Sequence, residues 1–363
     1  VVNDVMIGDV WLCSGQSNMV LQVHRALDSR SEIANSTNDS IRMLTVPLAN
    51  DPVPQYGFAS PVQWLKASPT TVPEFSAVCL YFARELQKKD KVPMGLIAAA
   101  WGGSKIQAWM TEPALRSLGN YDRALDALVQ SSKDPVAAAS QWASIWEGWW
   151  RERTNDKAGQ EPWSAKPHGE WKAAPIERGY WEDWGIPELS NYNGLLWYRT
   201  NVTLTKSQAS QQATLALGRV DESDQVWVNG RLIGAAGPGG EKSYPLPPKV
   251  LRAGENTVVV SVLDTYANGG LPGPMESRAL RFADGSSVVL NREWRYQLPP
   301  ASAAFPLRAP WEAVAGLGVI HNGMIAPLSN LGLRGVLWYQ GESNTDEADQ
   351  YQMLLTRFFA DWR

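Results

Sequence analysis

The segment Cys13-Ser14-Gly15-Gln16-Ser17-Asn18-Met19 closes a short apolar run, Asp9 to Cys13, with a glycine and two serines in a polar turn. A serine on a tight turn between a buried strand and a helix exposes its hydroxyl and aims its own N–H at a developing oxyanion, as acyl transfer requires. Ser17 fits that position and Gly15 lets the backbone turn sharply, although Met19 takes the last place of a Gly-x-Ser-x-Gly elbow. Alone, a Gly-x-Ser at a strand end is more often an ordinary turn. Two further runs add weight. Val92 to Ala100 ends in Trp101-Gly102-Gly103-Ser104, and Gly335 to Tyr339 ends in Gln340-Gly341-Glu342-Ser343-Asn344. Ligands of open α/β sheets bind outside the carboxyl ends of the strands, so the three turns are expected at one edge. There the N–H groups of Ser17 and Gly103, with a side-chain amide from Gln340 or Asn344, would place donors about 3 Å from an oxyanion.

Four stretches follow in order: GDVWLCSGQSNM, GLIAAAWGGSKIQAW, VIHNGMIAPL and VLWYQGESN. They resemble the SGNH-hydrolase blocks of sialate O-acetylesterase-like proteins, over roughly Val5 to Trp109 and Ala313 to Arg363. The resemblance implies a serine carbohydrate esterase that removes O-acetyl groups through an acyl-enzyme, with no cofactor or metal. Its partner would be an acetylated oligosaccharide or sialic acid. Ser17 would be the nucleophile, Gly103 an oxyanion donor, and Gln340 the amide that an Asn provides in simpler SGNH enzymes, with Asn344 the second choice. Capping of a helix from Asp346 is the plain alternative for both amides. Glu342 could orient a catalytic group, but a salt bridge within its own loop is the favoured reading, and it is left out of the catalytic set. Trp101 and Trp109 could shape an acyl pocket or belong to the core. Trp101 is kept, with His321, as a substrate-binding candidate.

A serine hydroxyl needs a positioned base, usually a His oriented by an Asp. The family carries that pair as Asp-x-x-His, yet Leu21, Ala165 and Gly318 stand three places before His24, His168 and His321. His24 reads as a solvated or capping residue. His321 precedes Asn-Gly-Met-Ile-Ala-Pro, where the family more usually has Tyr, and suits a pocket or structural role better than that of base. The catalytic Asp and His are therefore expected beyond Arg363, the 363 residues being a segment of a longer polypeptide. The rival reading is a non-catalytic carbohydrate-binding protein on a hydrolase fold.

The elements that must position these residues are strands at the three apolar runs, a crossover helix over Phe75 to Lys88, and a final amphipathic helix carrying Tyr351, Leu354, Leu355, Phe358 and Trp362. That order predicts an α/β domain with a doubly wound parallel sheet. The middle differs: Leu195 to Leu204, Ala213 to Val220, Gln225 to Val228, Arg231 to Gly234 and Thr257 to Leu263 read as short strands, with hairpin turns at Asn229-Gly230 and Asp284-Gly285. This region predicts an inserted all-β jelly-roll sandwich and resembles the galactose-binding-like domain of large β-galactosidases over about Leu195 to Gly273. The expected division is 1–160, 161–300 and 301–363. Trp181, Trp184 and Trp197 are candidate sugar-stacking rings, with core packing the alternative. Asp221, Glu222 and Asp224 read as a solvated acidic turn rather than a sugar or ion site. Contacts between subunits through the sandwich are a third possible role for it, and the oligomeric state stays open.

Apolar residues make up 44% and charged residues 19%, with a net charge of −4 and no basic block, which argues against a nucleic-acid or anionic-membrane surface. No apolar run reaches the roughly 20 residues of a membrane span. Cys13 and Cys79 are the only cysteines, and two buried free thiols are expected of them. The start at Val1 is that of a chain already cut, so a secreted or periplasmic protein is expected.

Overall fold

The computed structural model describes residues 4–329 and 331–363. The chain divides into two compact units, Val1–Tyr121 with Ala313–Arg363, and Asp122–Glu312.

The first unit contains β1 (Asp9–Gly15), α1 (Ser17–Val20), α2 (Ser29–Ala34), β2 (Asn38–Thr45), β3 (Leu65–Ala67), α3 (Ala77–Asp90), β4 (Met94–Ala100) and α4 (Glu112–Arg116). Its sheet has the order β15-β1-β4-β2-β3, where β15 is Gly335–Tyr339, and only β3 runs antiparallel. β4 lies centrally and reads MGLIAAA because both its faces are covered. Its predecessor α3 starts at Ser76, whose hydroxyl accepts from the Cys79 N–H, and buries Ala77, Cys79, Leu80 and Ala83.

The expectation of free thiols is overturned. Cys13 of β1 and Cys79 of α3 form a disulfide, with Cα atoms 5.8 Å apart. Burial in apolar runs suits a bridge as well as two thiols, and only the packing of α3 on β1 brings the pair into range.

In the second unit come α5 (Asp122–Ser131), α6 (Pro135–Thr154), β5 (Lys172–Ala173), β6 (Gly194–Leu204), α7 (Lys206–Ala209), β7 (Ala213–Arg219), β8 (Ser223–Val228), β9 (Arg231–Ala236), β10 (Glu241–Pro245), β11 (Gly254–Asp264), β12 (Ala279–Phe282), β13 (Ser287–Val289) and β14 (Arg295–Gln297). They build a four-stranded sheet, β10-β7-β12-β13, and a six-stranded sheet, β5-β14-β6-β11-β8-β9. Leu196, Tyr198, Val226 and Val260 of the six-stranded sheet share a core with Leu215, Leu217, Tyr244 and Leu280 of the other. The opposite residues of the six-stranded sheet, Leu195, Trp197, Trp227 and Val259, pack with Trp142, Trp146 and Trp150 of α6. Both faces of this sheet are therefore buried, and β11 reads as the nearly unbroken run TVVVSVL. The expected hairpin turns form: Asn229 and Gly230 both take positive φ between β8 and β9, and Gly285 does so between β12 and β13.

The boundaries fall at Tyr121 and Glu312 instead of near 160 and 300. Helix α6 is the cause, since its indoles belong to the core of the β-rich unit: Trp146 stacks on Trp150 and meets Trp163, Trp197 and Trp227 with ring centroids 5.4–5.8 Å apart. Their spacing, Trp142, Trp146 and Trp150, is a plain helical signal. The proposed stacking rings are also core, because Trp181, Trp184 and Trp197 are 0%, 4% and 0% exposed.

The acidic turn is not solvated. Asp224 is 2% exposed and accepts from the Tyr244 hydroxyl. Asp264 and Glu182 accept from the backbone N–H groups of Tyr266 and Gly269, and Glu222 holds Thr265, so three carboxylates grip one loop. Burial, with Asp264, Glu222 and Glu182 close by, pushes Asp221 up to about 7; burial pushes Asp224 up to about 7 as well. The folded state therefore keeps protons that the unfolded carboxyls release near pH 4. That stabilisation is complete below the unfolded value and is lost as pH rises through about 7. Thermal melts are expected to show a higher Tm for the β-rich unit at pH 5.5 than at pH 8, with Asp221→Asn flattening the dependence. A Tm independent of pH over that interval would contradict this.

The bridge makes a second expectation. Alkylation of the denatured, unreduced protein should find no free thiol. Cys13→Ala with Cys79→Ala should lower the unfolding free energy by about 4 kcal/mol, from the closure entropy of a loop spanning 66 residues.

Candidate active site

Gly15, Ala100 and Tyr339 stand in register across β4, β1 and β15, so the three strands end side by side. The Trp101 N–H donates to the Gly15 carbonyl and the Gln16 N–H to that of Tyr339, both at 3.0 Å. Gly15 has φ +141, and a Cβ there would lie 2.1 Å from the Tyr339 carbonyl oxygen. No other residue fits so close an approach.

Ser17 opens α1 and is exposed, while Met19 two residues on is 1% exposed and anchors the segment. The Ser76 hydroxyl donates to the Met19 carbonyl at 2.7 Å and the Ala77 N–H donates to Leu21 at 2.8 Å. The N-terminus of α3 thus clamps the Ser17 turn from beyond Ser17, and the disulfide ties the strand before it. A Cβ at Gly102 would lie 3.5 Å from Ser17 Cβ, and one at Gly103, where φ is +74, would meet open space. Neither the Ser17 N–H nor the Gly103 N–H has an acceptor among the described residues. Trp101 is half-buried beside them, whereas Trp109 is fully buried and donates from Nε1 to Ser104 Oγ at 2.8 Å, which makes it part of the core.

Gln340 and Asn344 meet, but their amides are spent on one another and on the neighbouring loop. Gln340 Nε2 donates to the Ser104 carbonyl at 3.0 Å and to Asn344 Oδ1 at 2.8 Å. Asn344 Oδ1 also accepts from the Ile106 N–H, and its Nδ2 donates to Gln107 Oε1 at 2.9 Å and Glu347 Oε2 at 3.3 Å. Each primary amide has two hydrogens, so in this arrangement neither has one left for an oxyanion. Capping does not explain them either, since the turn Glu342–Glu347 and α8 (Ala348–Asp361) have no side-chain cap. They cross-link two strand-end loops, a bond network that spacing alone could not reveal. Glu342 forms no salt bridge among the described residues; its Oε1 accepts from Asn18 Nδ2 at 2.7 Å, bracing the residue after Ser17.

No histidine bonds to Ser17 among the described residues. His24 Nδ1 lies 3.0 Å from the Pro73 carbonyl and 3.3 Å from Glu74 Oε1, on the surface as expected. His168 belongs to the β-rich unit, exposed, 4.0 Å from Asp156. His321 begins a π-helical turn, His321–Ile325, with Nδ1 3.5 Å from Asn322 Oδ1. Burial lowers its pKa below the ordinary imidazole value. Among the described residues no group of three or more His, Cys, Asp or Glu is placed to hold a metal ion.

Residues 7–145 match the family described as carbohydrate esterase, sialic acid-specific acetylesterase. Over that segment the chain is similar to those acetylesterases. Residues 171–268 match the second all-β domain of β-galactosidase. Among curated proteins, human sialate O-acetylesterase is 38% identical over 125 residues, covering 32% of this chain and 24% of that protein. The rat sialate O-acetylesterase is 33% identical over 143 residues, covering 37% and 26%. The chain thus spans about a quarter of the length of these relatives. A solved carbohydrate acetylesterase from Xanthomonas citri aligns over 79% of each chain, at 19% identity and a TM-score of 0.30.

The Asn344 network yields a test of its bracing role. Asn344→Ala would leave the Ile106 N–H and Gln107 Oε1 without the partners they have here and take one of its bonds from Gln340 Nε2, and each buried group left unsatisfied costs about 1–3 kcal/mol. Denaturant unfolding should show a destabilisation of at least about 2 kcal/mol, whereas a change under about 0.5 kcal/mol would make the network incidental.

Proposed function

We propose that the first unit is an SGNH-type serine esterase domain that removes O-acetyl groups from carbohydrates, with Ser17 as nucleophile. The adjacency of Ser17 to Gly102-Gly103, in a pair of loops that leave two N–H groups without acceptors, carries the reading. Ser17 Oγ attacks the acetyl carbonyl carbon and gives up its proton to a base. The N–H groups of Ser17 and Gly103 hold the oxyanion of the tetrahedral intermediate, which collapses with release of the protonated sugar hydroxyl. Water then repeats the attack on the acyl-enzyme and releases acetate. Gln340 and Asn344 act as positioning residues that keep the loops of Gly103 and Ser17 in register, so the backbone rather than their amides forms the oxyanion hole. Trp101 borders the acyl group, and His321 borders the substrate cleft.

The second unit is read as a galactose-binding-like jelly roll inserted into the esterase domain. The buried disulfide supports an oxidising compartment, hence a secreted or periplasmic protein.

A panel of O-acetylated sugars tests the reading through acetate release, with Ser17→Ala as the control. Loss of about 10³-fold or more in kcat on Ser17→Ala is expected from removal of the nucleophile; unchanged turnover would refute the mechanism. That no histidine bonds to Ser17 among the described residues favours one second reading, a carbohydrate-binding protein without turnover. Sugar binding without acetate release from any member of the panel would decide for it.

A further inference from the structure

The β-rich unit carries a groove of about 1010 Å³ on the outer face of its four-stranded sheet. Pro245, Thr214 and Arg281 stand in one row across β10, β7 and β12, on the side away from the buried row Tyr244, Leu215 and Leu280. Ser243 extends the floor, and Gln211, Gln212 and Lys249 stand along the rim. No acidic side chain lines the groove, although the chain as a whole is negative. The Arg281 guanidinium and the Lys249 ammonium have no hydrogen-bond or ion-pair partner among the described residues. The nearby Asp284 is already engaged, accepting from Gln211 Nε2 at 3.0 Å and from the Ser286 N–H and hydroxyl.

Lys249 is also held in the left-handed region, at φ +65, directly after Pro247-Pro248. A non-glycine residue there costs on the order of 1 kcal/mol and persists where the surroundings dictate it, commonly at ligand clamps. The two prolines stiffen the backbone that carries Lys249 to the rim of the groove.

We propose that this groove binds a carboxylate-bearing oligosaccharide, with Arg281 and Lys249 meeting the sugar carboxylates and the Gln, Thr and Ser side chains meeting the hydroxyls. An acidic peptide is a poorer match, because the edge strand that lines the groove, β10, ends there in Pro245 with Pro247 and Pro248 after it, none of which has an N–H to pair with an added strand. A nucleic acid would want an exposed aromatic platform, and the one ring in the lining, Phe282, is only 6% exposed. The volume is at the upper end of the roughly 300–1,000 Å³ range of ligand clefts, room for more than one sugar ring. This site is independent of the ester chemistry.

Calorimetric titration of the whole chain with trigalacturonate, 3′-sialyllactose and neutral maltotriose tests it, none of these carrying an acetyl ester. At least one acidic probe should bind about tenfold or more tighter than maltotriose, and the affinity should fall as salt rises from about 0.05 to about 0.5 M. Arg281→Gln and Lys249→Asn, the latter a residue that tolerates the left-handed region, should each weaken binding about tenfold. Both side chains are exposed, and an unchanged thermal melt verifies folding. Equal affinity for neutral and acidic probes, binding unaffected by both variants, or no heat with either acidic probe up to about 10 mM would overturn the proposal.

Discussion

The closest backbone approach in the site, that of Gly15 to the Tyr339 carbonyl, is the constraint on which the rest hangs. A glycine there lets β1 and β15 stay paired to their last residues while the chain leaves the sheet at Gln16. Any side chain would push the strands apart, and the turn bearing Ser17 would lose its register with Trp101 to Ser104 and Gln340 to Asn344. The parallel register then makes three separate loops neighbours without any of them contacting the next in sequence.

What secures those loops is a set of bonds with little free capacity. The disulfide and the N-terminus of α3 hold the Ser17 turn, while Gln340, Asn344 and Gln107 join the two remaining loops. These bonds restrict motion of the backbone N–H groups of Ser17 and Gly103, and under the proposed function that is the preorganisation oxyanion stabilisation rewards. With the side-chain amides engaged, the main-chain N–H groups of Ser17 and Gly103 are the donors left without acceptors among the described residues.

The second unit solves a different problem. A six-stranded sheet buried on both faces cannot show hydrophobic alternation, so its strands read as continuous apolar runs and one face needs a cover of large rings. Helix α6 supplies them, and the indoles that looked available for sugars are consumed by packing. The outer face of the four-stranded sheet is left to polar and cationic side chains instead.

Local signals in the residues determined a good deal: the strands ending at Gly15, Ala100 and Tyr339, helix α3, the two hairpin turns, the all-β character of the middle region, and the meeting of the Ser17 and Gly103 loops at one sheet edge. These are legible because turn chemistry and apolar periodicity act over a few residues. Tertiary structure alone decided that Cys13 reaches Cys79, that α6 belongs with the β-rich unit, that Gln340 and Asn344 bond to each other, and that Trp181, Trp184 and Trp197 are core. Each of these depends on which distant surface a side chain meets. A cysteine, an amide or an indole has several acceptable partners, and packing of remote segments is what selects among them.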